Sequence, residues 1–156
     1  MRRTDREISD DHGILKILGK CRVLCLGMCL DGIPYVVPLN FGFEYNSGKY
    51  TFYIHCAGEG KKLDIIAKNP RVFIEADCSH ELTEAETACG YGYNYESVMA
   101  EGTAEIVTDT AEKKKALALL MKHQTGKDFD FTDQQADGVT VVKITAAQVT
   151  AKSRTE

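Results

Sequence analysis

Apolar residues recur at helical spacing near the start of the chain, where Ile14, Leu15 and Leu18 make one stripe. Ser9 is placed to cap this helix, Asp10 and Asp11 fall in its first turn, and Gly19 lies just past its end. The pattern then turns strand-like. Residues 21–30, CRVLCLGMCL, are apolar on both faces except at Arg22, as in a buried strand. Asp31-Gly32 is a hairpin signal, and residues 33–43, IPYVVPLNFGF, return from it. Pro34 and Pro38 have no N–H for a ladder, so this strand is expected at an edge, or bulged or broken at the prolines. Asn46-Ser47-Gly48 turns the chain into a third strand at 49–56, KYTFYIHC.

A helix over 60–68 follows, with Leu63, Ile66 and Ala67 inward and Asn69-Pro70 as its stop. Residues 71–78 read as a fourth strand, 79–92 as a mobile loop, and 93–107 as a long strand with a bulge or close approach at Gly102. Asp109 and Glu112 resemble a capping box for a helix over 110–123, with Ala116, Leu117, Leu120 and Met121 buried. A polar loop leads to a β-branched strand at 139–145 and a polar tail. Six short-turned strands with isolated helices predict a mainly β protein, a small six-stranded antiparallel barrel in one domain spanning 1–156. The βαβ pattern of a dinucleotide-binding domain is missing.

Composition narrows the function classes. At 44% hydrophobic and 27% charged, the chain resembles an ordinary soluble domain. Its apolar runs are too short for a membrane helix, and its first residues, MRRTDREISDD, lack the apolar core of a secretory signal, so a cytoplasmic protein is expected. A net charge of −4 argues against a general nucleic-acid binder. Six cysteines without a signal peptide read as thiols. Cys21, Cys25 and Cys29 fall on one face if the run is a strand, as small buried hydrophobes. Cys78, His80 and Cys89 lack a fourth ligand at sensible zinc spacing, so no metal is expected.

The chemistry concentrates in residues 55–62, HCAGEGKK, at a strand-to-helix junction. A nucleoside-triphosphate loop needs Gly where His55 stands and Ser or Thr where Lys62 stands, so that motif fails. A phosphate remains chemically reasonable. Helix-start N–H groups point outward, Gly58 and Gly60 admit a close anion, and Lys61 and Lys62 add two cations. Cations disfavour a helix N-terminus by about 0.3–1 kcal/mol each unless an anion compensates them. A solvated surface pair is the other reading, and the residues alone leave both open. His55 is equally a half-buried histidine or an acid–base group, and Cys56 beside it points to the opposite face. In Val37-Pro38-Leu39-Asn40, proline frees backbone groups that bond a planar heterocycle or merely protect an edge strand. His123 near a helix C-terminus is explained by the helix dipole.

Taken in order, MRRTDREISD, PYVVPLNF, FYIHCAGEGKKLDIIAKNPRV, YESV and LMKHQTGKDF resemble the split-barrel FMN-binding family related to pyridoxamine 5′-phosphate oxidase, in its nitroimidazole-resistance-type branch. The resemblance implies a homodimer with FMN at the subunit interface. It places the FMN phosphate on Lys61 and Lys62, His55 and Cys56 beside the flavin, and Val37, Pro38, Leu39 and Asn40 along the ring edge. Ser97 would face the flavin, with Arg22 and Lys152 near the phosphate. The oxidase itself carries a C-terminal substrate segment with Trp and Arg. This chain has no Trp and ends soon after its last strand, so pyridoxamine phosphate oxidation is not expected.

The leading expectation is an FMN-dependent oxidoreductase taking hydride from NAD(P)H and reducing a small acceptor, a nitro-aromatic included, with His55 the candidate catalytic side chain. A non-catalytic flavin or haem module, with His55 or His123 as axial ligand, is the alternative. A dimer with thiol-based redox sensing is a third.

Overall fold

A computed structural model describes residues 3–155. Its topology turns on one bent stretch of chain. β3 (Ile33–Asn40) and β4 (Gly42–Asn46) are separated only by Phe41, yet they form opposite ends of the sheet. β3 pairs with β2 (Val23–Leu30) through the Asp31-Gly32 turn, whose residues both take positive φ. β4 pairs with β5 (Lys49–Cys56) through a second such turn at Ser47-Gly48. Between these ends run β6 (Arg71–Thr83), β7 (Gly92–Val107) and β8 (Thr140–Arg154), in the order β3-β2-β6-β7-β8-β5-β4. Each neighbouring pair in this order is antiparallel, and the bend at Phe41 carries the chain from one edge to the other. The result is a mainly β split barrel.

Among the described residues eight strands, rather than the expected six, build it. The strand expected over 33–43 breaks at Phe41 and not at its prolines. Phe41 is fully buried, and α3 (Thr110–Thr125) packs so closely on Gly42 that a Cβ there would lie 2.4 Å from the Leu120 amide nitrogen. Both prolines have the same parity on a strand paired on one side only, which an edge tolerates. The other additional strand is β1 (Glu7–Ile8), which pairs with Lys152 and Ala151. Its partner is the stretch read as a polar tail. Residues 146–154 continue β8 because Val149 and Ala151 turn inward while polar side chains line the other face.

Other boundaries shift for local reasons. Asp10, not Ser9, caps α1 (Asp11–Lys20): its carboxylate accepts from the Gly13 N–H at 2.8 Å. Residues 79–83 and 92 are strand rather than loop, leaving 84–91 as the connection, with one 3-10 turn at Ala88–Gly90. In α2 (Lys61–Lys68), Ile65 rather than Ala67 joins Leu63 and Ile66 inside. Asp109 caps α3 at the Glu112 N–H, and a short α4 (Asp133–Asp137) lies in the expected polar loop. The β7–β8 register shifts between Glu101 and Gly102, where the bulge was expected.

The barrel interior holds one large cluster, including Leu18, Leu24, Leu26, Phe52, Ile74, Val98 and Ile144, all essentially inaccessible. Side chains of this kind contribute roughly 1.5–3 kcal/mol each on burial. A second cluster lies under α3 and α4: Tyr53, Val107, Ala116, Leu117, Ala136 and Val141. The three amino-terminal cysteines do not share a face. Cys21 precedes β2, its N–H bonds Ile17 at the end of α1, and its side chain enters the core. Cys25 and Cys29 lie on the outer face of β2.

Candidate functional site

The start of α2 is a basic, uncapped corner. Gly60 is its N-cap, at φ 140°, a conformation that excludes most side chains, and no side chain caps the first turn. Its outermost N–H groups are therefore left to solvent or a ligand. Lys61 and Lys62 open the helix. The Lys61 ammonium lies 4.5 Å from the centroid of the Tyr35 ring on β3. Lys62 faces Cys56 at the end of β5: burial pushes that thiol up, and the lysine charge opposes the shift. Tyr35, Val37 and Leu39 share the core-facing side of β3, each partly buried. Because β3 pairs with β2 alone, half of its backbone polar groups face away from the ladder. An anion at the α2 start and a flat group along the β3 edge both find donors here.

His55 is not part of this corner. It pairs with Val141 and shares the β5 face of Tyr53, under the second cluster, whereas Cys56 shares the face of Ile54 and Phe52. The opposition of His55 and Cys56 follows strand alternation, as expected. Pro38 and Asn40 project from the exposed side of β3. The Asn40 amide donates to the Arg22 carbonyl at 3.1 Å and to Gln124 Oε1 at 3.2 Å. Gln124 donates to the Arg22 and Phe41 carbonyls at 3.0 and 2.9 Å, and the Arg22 guanidinium donates to the Gly19 carbonyl at 2.7 Å. These contacts tie the Phe41 bend to α1 and α3, about 17 Å along β3 from Tyr35. Ser97 and Lys152 are cross-strand partners on β7 and β8, with Asp77 on the other side of Ser97. Ser97 lies three strands from β3 and Lys152 four, roughly 14 and 19 Å across the sheet. The predicted set is thus divided between the α2 corner, the outer sheet face and the α3 side.

His123 is half-buried against the core. Its ring lies between Phe41 and Phe43, with centroids at 4.7 and 5.1 Å, and its Nε2 is 2.7 Å from the Cys21 carbonyl. Burial, foremost, holds its pKa below the usual histidine value. That carbonyl already engages the nitrogen a haem iron would need.

The outer face of β3, β2, β6 and β7 is unusually apolar. Val36 is 59% exposed, Val23 44%, Phe73 43% and Met99 39%. Val36, Gly27, Phe73 and Glu101 lie in one cross-strand row, and an open groove of about 510 Å³ runs over it between Pro34 and Arg71. Glu75 sits among these residues, and burial, with Asp77 beside it, pushes its carboxyl up. Sequence reading missed this patch because its residues alternate with core positions on four separate strands. It also missed Tyr35, whose only signal was its place in PYVVPLNF. No group of three or more His, Cys, Asp or Glu ligands converges among the described residues. No described helix is long and apolar enough to cross a membrane.

The model of a family described as pyridoxamine 5′-phosphate oxidase matches residues 10–153. The crystal structure of a candidate 5-nitroimidazole antibiotic resistance protein from Bacteroides thetaiotaomicron is 34% identical, superposes with a TM-score of 0.80, and is matched over 94% of this chain and 86% of that one. A FAD-binding protein from Mesorhizobium loti is 25% identical over 96% of this chain and 98% of its own, with a TM-score of 0.66. The flavocytochrome Anf3 from Azotobacter vinelandii, at 21% identity, shares the fold: TM-score 0.79 over 100% of this chain and 72% of that one. No curated protein sequence matches the chain.

Proposed function

The chain belongs to the pyridoxamine 5′-phosphate oxidase family, in its nitroimidazole-resistance-type branch, and on that premise we propose that it binds FMN and passes electrons from a reduced nicotinamide to a small acceptor such as a nitro-aromatic. The observation that carries the proposal is the α2 corner. Two adjacent cations stand where a helix disfavours them, beside uncapped N–H groups and a glycine in a conformation reserved for it. A dianionic phosphate reverses that penalty, and charge-assisted bonds from Lys61 and Lys62 hold it. The free backbone edge of β3 at Val37, Pro38 and Leu39 suits the rim of a planar ring.

Bound there, the flavin would supply the electron transfer, and this chain would bind it, orient it and limit water at its face. Partly buried Val37, Leu39 and Cys56 give one wall of low polarity. Ser97 and Lys152 are too far around the sheet to join them from the same copy. We propose that a second copy supplies them, seated on the apolar outer face as a homodimer with the flavin between subunits. The exposure of Val23, Val36, Phe73 and Met99 supports this, since a contiguous apolar patch marks an interaction surface. His55 is assigned no step: its exposed ring faces away from the lysines, and His55→Ala is expected to leave FMN affinity within about twofold, below 0.5 kcal/mol.

The test is reconstitution. Purified protein is mixed with FMN, FAD or haem, its absorption spectrum recorded, and NADH and NADPH oxidation followed with and without a nitro-aromatic. Flavin bands with acceptor-dependent turnover support the whole reading. Flavin bands without turnover reduce it to a carrier. A Soret band alone, or uptake of none of the three, rejects it.

A further inference from the structure

The two lysines that open α2 are held differently. Lys62 is half-buried, whereas Lys61 is exposed. An exposed lysine usually finds a carboxylate: Lys20, Lys114, Lys115, Lys122 and Lys143 each hold one. Lys61 holds an aromatic face instead, its ammonium 4.5 Å from the centroid of the Tyr35 ring. Tyr35 is half-buried on β3 and packs against the barrel interior, so the ring is anchored from below. The body of α2 packs on β2 and β7, and the Lys61 side chain reaches from the first turn to β3, the neighbour of β2.

The choice of partner matters chemically. A carboxylate in place of the ring would neutralise Lys61 and repel an incoming phosphate. A ring face attracts the ammonium through its quadrupole and leaves the positive charge in place. The ammonium has three N–H donors, and those turned away from the ring remain for an acceptor. A lysine on a bare surface loses rotamer freedom when it grips a ligand. One already restrained loses less, and the difference appears as affinity.

We infer that Tyr35 is a positioning residue for phosphate capture: its ring holds Lys61 at the α2 corner with its charge intact, so that the lysine meets the anion already placed. The inference rests on the reading of that corner as the flavin phosphate site. Tyr35 shares its face of β3 with Val37 and Leu39. The strand offered to the flavin ring therefore also sets the cation offered to the phosphate, and one edge strand coordinates both ends of the ligand. Lys62, restrained by its own partial burial, does not depend on Tyr35.

The experiment titrates FMN and riboflavin into the full-length parent and its variants, and reads the ratio of the two affinities, which cancels any change in contact with the flavin ring. Tyr35→Leu keeps an apolar side chain against the core but removes the aromatic face. It should lower the FMN preference about two- to fivefold, the effect of a cation–π contact at an exposed site. Tyr35→Phe keeps the face and should leave the preference unchanged. With Lys61→Ala already in place, Tyr35→Leu should change the ratio no further, because its effect runs through that lysine. In the unliganded parent, the ring current should shift the Lys61 ε-methylene protons upfield in the NMR spectrum, a reading that needs no variant. A preference kept in full by Tyr35→Leu, lowered equally by Tyr35→Phe, or lowered by Tyr35→Leu without Lys61 overturns the inference and leaves the phosphate site standing. So do ε-methylene protons at the position of a solvated lysine. A parent that binds both flavins equally overturns the site itself, and the inference with it.

Discussion

Gly42→Ala tests the closure that places β3 beside α2. Gly42 is the first residue after the buried bend, and α3 crosses directly over it. An added Cβ would stand 2.4 Å from the Leu120 nitrogen, 2.5 Å from the Leu120 Cα and 2.7 Å from the Leu119 carbonyl carbon. Comfortable separation between such atoms is about 3.5–4.0 Å, so the helix must withdraw by roughly 1 Å. All three obstructing atoms are helix backbone, which no rotamer change can move. Withdrawal loosens Leu117, in the cluster under α3 and α4, and the buried Leu120, and strains the His123 and Gln124 contacts that hold the bend. Overpacking typically costs 1–3 kcal/mol, and a rigid backbone obstacle belongs at the upper end, about 3 kcal/mol. For a chain of this size that lowers Tm by about 6–12 °C. The control is Gly19→Ala, inside α1 with nothing within 4 Å of its Cβ, which should stabilise by about 0.5–1 kcal/mol. The chain has no Trp, so urea unfolding is followed by far-UV circular dichroism, at one protein concentration for all variants. A Gly42→Ala midpoint within 0.5 kcal/mol of the parent, at unchanged slope, would refute the close approach of α3 to the bend.

Acid stability should depend on His123. Its folded pKa is lowered, so below the unfolded value of about 6.5 the unfolded chain takes up the proton first, and stability falls as pH drops through that range by up to about 1.4 kcal/mol per unit. Urea unfolding between pH 7.5 and 5 should show this slope in the parent and a shallower one in His123→Gln; equal slopes would remove His123 as its source. Val36→Glu with Phe73→Glu should convert a dimer into a monomer in sedimentation at micromolar concentration while leaving circular dichroism unchanged. A parent already monomeric, or a variant still dimeric, would take the interface off the outer face.

Much of the architecture is legible along the chain. Both tight turns, the Gly102 bulge, the Asn69-Pro70 stop and the uncapped basic helix start are local signals, and each appears where residue chemistry puts it. The bend at Phe41 was hidden because it is fixed from outside the strand by α3, through contacts some 80 positions away in sequence. The last half of β8 was hidden because Ala and Val alternate there with Gln, Thr and Lys, a weak pattern that becomes a strand only against β7 and β1. At the site, Lys61, Lys62 and Cys56 were legible as neighbours in sequence. Tyr35 under Lys61 was not, since tertiary proximity of distant elements leaves no periodicity to read. Strand alternation correctly separates His55 from Cys56. It misleads at Cys21 because the strand begins two residues later.

The central claim is that the α2 corner holds a flavin phosphate, and FMN against riboflavin tests it most directly, because the two ligands differ only in that group. Titration of each into the parent and into Lys61→Ala/Lys62→Ala, by quenching of flavin fluorescence, gives four affinities. FMN should bind the parent at least tenfold tighter than riboflavin, about 1.4 kcal/mol or more, and the double variant should lose that preference while its riboflavin affinity stays within about twofold. Equal affinity of the parent for both ligands, or an FMN preference that survives loss of both lysines, would contradict the assignment.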